Sequence, residues 1–183
     1  ELRDLSMPSV RFEVRLLSRE GKNALSASGA DEVSFVMSAN AGEALGPISR
    51  IASGGELSRI MLALKNVFAE KDGVDALIFD EIDTGVSGVA AQRVAEKLAS
   101  LGRTKQVLCV THLPQIAAMA QQQYLVEKAE HGGRTYTNIR LLDREGRRYE
   151  LARLSGGDMI TDIQLAGAEE LLARDERFRA SLS

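Results

Sequence analysis

The sequence predicts an α/β domain in which a mostly parallel sheet carries flanking helices, with antiparallel strands at its periphery. Three patterns predict it. Ala76–Phe79 and Gln106–Val110 are short, largely apolar runs of the kind found in strands covered on both faces. Around them, apolar residues recur at helical spacing in 57–68 and 94–101. Upstream, Phe12, Val14 and Leu16 alternate with Arg11, Glu13 and Arg15, the period-two mark of a half-buried strand. Strands alternating with helices build a parallel layer.

The elements follow in order. Glu1–Leu5 is a short stub stopped by Pro8. Val10–Leu17 and Val33–Met37 are strands expected to pair across a turn-rich connection at 21–31. Asn40–Ser49, with Gly42, Gly46 and Pro47, reads as a loop. A helix starts at Ser53, where Ser53 and Glu56 have the spacing of a capping box, and aligns Leu57, Ile60, Met61, Leu64, Val67 and Phe68. After the Ala76–Phe79 strand and a loop through Gly85, Ser87–Leu101 is a helix with Val94, Leu98 and Leu101 inward and Gly102 as its stop. Pro114 suits the first turn of a short helix reaching about Gln121. Tyr124–Lys128 and Tyr136–Leu142 form a hairpin around His131–Gly132–Gly133. Two amphipathic helices, Glu145–Leu154 and Ile163–Ala173, close the chain.

Composition narrows the function classes. The chain has 183 residues, a net charge of −3 and 27% charged residues, so nothing global argues for nucleic-acid binding. Its single cysteine, Cys109, rules out an internal disulfide and fits a reducing compartment. No apolar run approaches the ~20 residues that span a bilayer. The chain starts at Glu1 without methionine, which suggests a piece of a longer polypeptide.

Four places carry chemistry, each with a plainer reading beside it. Ser53–Gly54–Gly55 opens a helix, so backbone N–H groups and the helix dipole can meet a phosphate; it is equally a capped turn. Asp80–Glu81 ends an apolar strand, where Asp80 can hold Mg²⁺ and Glu81 can polarise water; the pair can also simply face solvent. Asp83–Thr84–Gly85 lies at the mouth of the same region or is a turn. His112 ends the next strand, where open α/β sheets bind ligands, or is structural. One component is missing. A phosphate-gripping P-loop needs G-x-x-x-x-G-K-[ST], and the lone Gly21–Lys22 pair is followed by Asn23, with Leu16 at the first glycine position.

Taken together, ASGGELSRIMLALK at 52–65, IFDEIDTGVSG at 78–88 and THLPQIA at 111–117 resemble the carboxyl-terminal segment of an SMC-like, ABC-type ATPase head of bacterial DNA repair. LSGGD at 154–158 looks like a second signature, but no Asp-Glu strand follows it. Gly156–Gly157 there reads as a helix cap.

The resemblance implies the carboxyl-terminal lobe of a P-loop NTPase head over 10–183, with 1–9 as the end of a coiled coil. ATP and Mg²⁺ would be the ligands. Ser53, Gly54, Gly55 and Glu56 would form the signature motif, which touches the γ-phosphate of an ATP held by a second head. Asp80 would help hold Mg²⁺, Glu81 would activate water, His112 would sense the γ-phosphate, and Asp83 would communicate between the sites. The implied partners are an amino-terminal P-loop lobe, a second head in a homodimer, and DNA through the full-length protein, with no membrane. The implied setting is the bacterial cytoplasm, at the nucleoid, in recombinational repair of double-strand breaks. Arg144, Arg147, Arg148 and Arg153 form a basic cluster, either within the head or on phosphates. Two alternatives remain: a transporter's nucleotide-binding fragment, and a non-catalytic head-dimerisation lobe.

Overall fold

The computed structural model describes residues 1–5, 7–21, 25–38, 40–48, 54–68, 71, 73–157 and 159–182. Its architecture is mixed α/β. β1 (Arg11–Ser18), β2 (Asp31–Ser38) and the two-residue β3 (Gly46–Pro47) form an antiparallel sheet in that order. Then come α1 (Gly54–Phe68), β4 (Ala76–Phe79), α2 (Gly88–Leu101), β5 (Gln106–Cys109) and α3 (Pro114–Met119). β6 (Tyr124–His131) and β7 (Arg134–Leu141) make an antiparallel ribbon, and α4 (Arg144–Gly156) and α5 (Asp162–Ser181) finish the chain. β4 and β5 pair in parallel, Ala76 opposite Gln106 and Phe79 opposite Cys109.

The α/β class is as expected, but the parallel component is smaller than the expected mostly parallel sheet. Among the described residues it is this one pair. Antiparallel neighbours need only a short turn between them, whereas each further parallel strand needs its own crossover. The loop expected over 40–49 also contains β3, which pairs with β2 at Val36–Pro47 and Met37–Gly46.

The core lies on one side of the parallel pair. Leu62 and Ala63 of α1, Phe79 of β4, Ile82, Val94, Ala95, Leu98 and Leu101 of α2, and Ile116 and Met119 of α3 form its main cluster, joined by Leu5 of the stub. A second cluster joins α3, α4 and α5 through Ala117, Ala118, Leu151, Ala152, Ala168 and Leu172. Met7, Met37 and Ile60 tie the first sheet to α1.

The other side is bare, and here several sequence expectations are corrected. β4 was expected to be covered on both faces, yet Ile78 is 75% exposed. The strand β1, expected half-buried, is exposed along its whole length, and Phe12 stacks on Phe35 at 5.9 Å in the open. In α1 the stripe with Leu57, Met61, Val67 and Phe68 faces outward. The buried residues are Gly55, Arg59, Ile60, Leu62 and Ala63. Apolar patterning reports which surface needs cover, and does not require the cover to come from the same chain.

Local chemistry explains the remaining ends. Gly132 and Gly133 both have positive φ, 60° and 72°, as a tight hairpin turn requires, and they join β6 to β7. Asp143 caps α4 by accepting from the Gly146 N–H, and Thr161 and Gln164 form a capping box on α5. Gly157, at φ 81°, ends α4, its N–H bonded to the Arg153 carbonyl, so LSGGD is a helix terminus as expected. No helix among the described residues is long and apolar enough to cross a membrane.

Candidate functional site: the carboxyl ends of the parallel pair

Parallel pairing sends the segments after β4 and β5 out at the same edge, where α/β sheets gather their ligand-binding loops. The Val110 N–H bonds to the Phe79 carbonyl at 2.9 Å, which sets Asp80–Gly85 beside Val110–Leu113. The start of α1 joins them. The Ser58 hydroxyl donates to the Asp80 carbonyl at 2.9 Å, and Arg59 Nη1 donates to the Thr84 carbonyl at 2.8 Å.

Gly54 and Gly55 are needed because this contact is close. A Cβ on Gly54 would lie 2.5 Å from Glu81 Oε2. One on Gly55 would lie 2.8 Å from Thr84 Cβ and 2.9 Å from the Thr84 carbonyl oxygen. The glycine turn and Glu81 therefore abut within one chain. Glu56 follows in the first turn of α1, where a carboxylate suits the helix dipole. Ser53, and with it the expected capping box, lies outside the described residues.

Glu81 has φ 58°, the sole positive φ among described non-glycine residues. Such a conformation costs ~1 kcal/mol and is characteristic of functional sites. Its N–H donates to Asp80 Oδ1 at 2.9 Å, and both residues are exposed. No lysine or arginine makes an ion pair with either of them among the described residues.

Asp83 behaves differently. Expected at the mouth of the site, it is 4% exposed and turned inward. Its Oδ2 accepts the Thr111 hydroxyl at 2.6 Å and the His112 backbone N–H at 2.9 Å, and lies 3.0 Å from His112 Nδ1. The His112 side chain is 73% exposed, so the ring is held at one nitrogen and presents the other to solvent. Sequence reasoning gave Thr111, Thr84 and Arg59 no role of their own. An arginine four residues after Gly55, on the same helical face, is the one signal that pointed there.

The site also fits a divalent cation held with a nucleotide. Among the described residues no three histidine, cysteine, aspartate or glutamate side chains converge as a metal cage. Mg²⁺ commonly needs one or two carboxylates with phosphates completing the shell, and Asp80 and Glu81 are of that kind. Burial first, then Asp83 and Asp80, push the Cys109 thiol up to about 12.

Three members of the basic cluster are used within the chain. Arg147, 8% exposed, donates to the carbonyls of Ala118 and Ala120 at the end of α3, at 3.1 and 2.8 Å. Arg144 pairs with Glu169 and Glu176, and Arg153 with Glu150.

Comparison with protein-family models returns no match. The chain is 46% identical to the DNA repair protein RecN of Halalkalibacterium halodurans over 173 residues, 94% of this chain and 31% of the relative. It is 46% identical to RecN of Treponema pallidum over 181 residues, 97% of this chain and 32% of the relative. It thus spans about a third of the length of these curated relatives. Among solved structures, the Smc head domain with a coiled coil and joint from Pyrococcus yayanosii matches with a TM-score of 0.55 at 20% identity. The match covers 83% of this chain and 27% of that one, and it speaks to the fold. Identity at this level along nearly its whole length means that the chain belongs to the RecN family of DNA repair proteins.

Proposed function

We propose that this chain is one lobe of an ATPase head, contributing the signature, Walker B and switch elements of an ATP site that acts in DNA double-strand-break repair. The observation that carries the reading is the convergence of Gly54–Gly55, Asp80, Glu81, Asp83 and His112 at one sheet edge, in a chain without a P-loop. The P-loop would come from a second lobe encoded elsewhere in the longer family polypeptide. The bare faces of β4, β5 and α1 support this, because they are apolar and uncovered. Residues 10–183 would be the lobe, and 1–9 the end of an adjoining coiled coil.

Each residue's role follows from its setting. Asp80 would help hold Mg²⁺, and it accepts the Glu81 N–H, which fixes the Glu81 backbone. Mg²⁺, when bound, would neutralise charge on the transferring phosphoryl group. Glu81, exposed and without a lysine or arginine ion pair among the described residues, would orient or deprotonate the attacking water. His112, anchored through Nδ1 by Asp83, offers Nε2 to a terminal phosphate. Gly54 and Gly55 would present N–H groups of the α1 start to a phosphate, with Ser53 and Glu56 completing the signature motif. Two heads would face each other around ATP, so that hydrolysis separates them and couples turnover to holding DNA. These proteins would act in the bacterial cytoplasm.

The test is ATP turnover by this chain alone, by the chain mixed with a polypeptide carrying the P-loop lobe, and by the mixture with Glu81→Gln. The expected result is turnover only on mixing, reduced about a hundredfold or more by the substitution. Turnover by the chain alone, indifferent to Glu81, overturns the reading. Stable association without turnover, with or without DNA, supports the head-dimerisation lobe instead.

A further inference from the structure

Arg59 has no role in the chemistry above, yet it is 6% exposed, a charged group in the core of the site. Burial lowers its pKa, and Glu56 acts in the opposite direction. Its Nε is buried with no hydrogen-bond partner among the described residues, which costs stability. Among the described residues it donates from Nη1 to the Thr84 carbonyl.

That carbonyl is also the atom against which Gly55 sits, 2.9 Å from where a Cβ would be. Gly55 and Arg59 are four residues apart, so they share one face of α1 and grip the same peptide group. From Thr84 the connection runs two ways. The Thr84 N–H bonds to the Glu81 carbonyl at 3.1 Å, closing the turn that holds Glu81 at positive φ. The neighbouring Asp83 carboxylate holds Thr111 and His112.

We propose that Arg59 is a positioning residue that couples the glycine turn of α1 to the loop bearing Glu81 and Asp83. Displacement of the α1 start by a phosphate then resets both the water-orienting carboxylate and His112. The proposal rests on the ATPase reading and names how the two ends of that site communicate. A guanidinium suits the task because it stays charged when buried and holds a carbonyl with fixed geometry.

The experiment uses the complex of this chain with the P-loop polypeptide, histidine-labelled on this chain, and compares wild type, Arg59→Met, Arg59→Lys and Glu81→Gln. Arg59→Met keeps the stem and removes the donors. The expected result is a kcat lowered about tenfold or more with KM for ATP within about twofold. The His112 ring signal should shift relative to wild type. Arg59→Lys returns a charged donor and should restore kcat to within about threefold. An unchanged kcat, a change confined to KM, or an unmoved His112 signal in Arg59→Met overturns the proposal. If Arg59→Met does not fold, Arg59→Lys decides. Rescue to within threefold supports the coupling, and a tenfold loss with an unmoved His112 signal overturns it. An inactive wild-type complex, or a fully active Glu81→Gln, instead defeats the ATPase reading, and the His112 signal still tests the coupling.

Discussion

At the residue scale, the two glycines of α1 differ in what they press against, and that difference is measurable. Beyond Gly54 lies the end of a flexible side chain, Glu81 Oε2, which can swing aside. Beyond Gly55 lie the backbone and Cβ of Thr84, with the Glu81 carbonyl at 3.1 Å, and none of these moves without moving the loop. Gly55→Ala is therefore expected to destabilise the chain by about 2 kcal/mol, as an overpacked contact does, and Gly54→Ala by less than about 1 kcal/mol. Urea unfolding of both variants checks the order. Turnover in the two-lobe complex should fall in both, because Gly54→Ala displaces the Glu81 carboxylate without disturbing the fold. A Gly54→Ala variant with full turnover would mean that the position of Glu81 in the free lobe has no bearing on catalysis.

At the scale of elements, α3 is the piece that stands behind His112, and it is only six residues long. A helix this short does not hold itself, so its end needs anchoring. Arg147 from α4 and Arg179 from α5 supply it, both donating to carbonyls at 118–120. Arg147→Met keeps the stem and removes these bonds, and should cost about 2 kcal/mol. For a domain of this size that is a fall of about 6 °C in melting midpoint, readable by circular dichroism. Exposed Arg144, in surface pairs with Glu169 and Glu176, should leave the midpoint in place when replaced by alanine. This also shows what the sequence could and could not say. The hairpin turn and the end of α4 were legible because each depends on local chemistry, the φ at Gly132, Gly133 and Gly157, whereas the caps at Thr161 and Asp143 went unread although they are as local. The roles of Arg147 and Asp83 were not legible, because both act across more than twenty residues of sequence. A run of arginines looks like a phosphate surface until the fold turns one of them inward. α5 also ran eight residues past the expected Ala173, since the buried Asp175 and the partly buried Phe178 carry no apolar period that marks them as core.

At the scale of the whole molecule, the core and the bare side make opposite demands. The main cluster covers one face of the β4–β5 pair, while Ile78, Leu108 and Val110 on the strands and Leu57 and Met61 on α1 stay 40–75% exposed. Leu57, Met61 and Ile78, with Leu77 and Phe79, line a groove of about 260 Å³ between α1 and β4. Two parallel strands cannot shield such a face, and parallel sheets occur almost only with both faces covered. If the covering body is the P-loop lobe, one charged residue at the centre of this face should prevent assembly without unfolding the chain. Ile78→Glu is suited to this, because its side chain is 75% exposed and contributes little to the core. The expected outcome is a melting midpoint within about 3 °C of wild type, since exposed substitutions change stability little. Sedimentation should then show no complex with the P-loop polypeptide, and turnover should disappear with it. Leu125→Glu, in the separate groove between the β6–β7 ribbon and α4, serves as the control and should leave assembly intact. Should Ile78→Glu assemble and turn over like wild type, the face is not the one the second lobe covers, and Glu81 and His112 would have to receive their nucleotide from another direction.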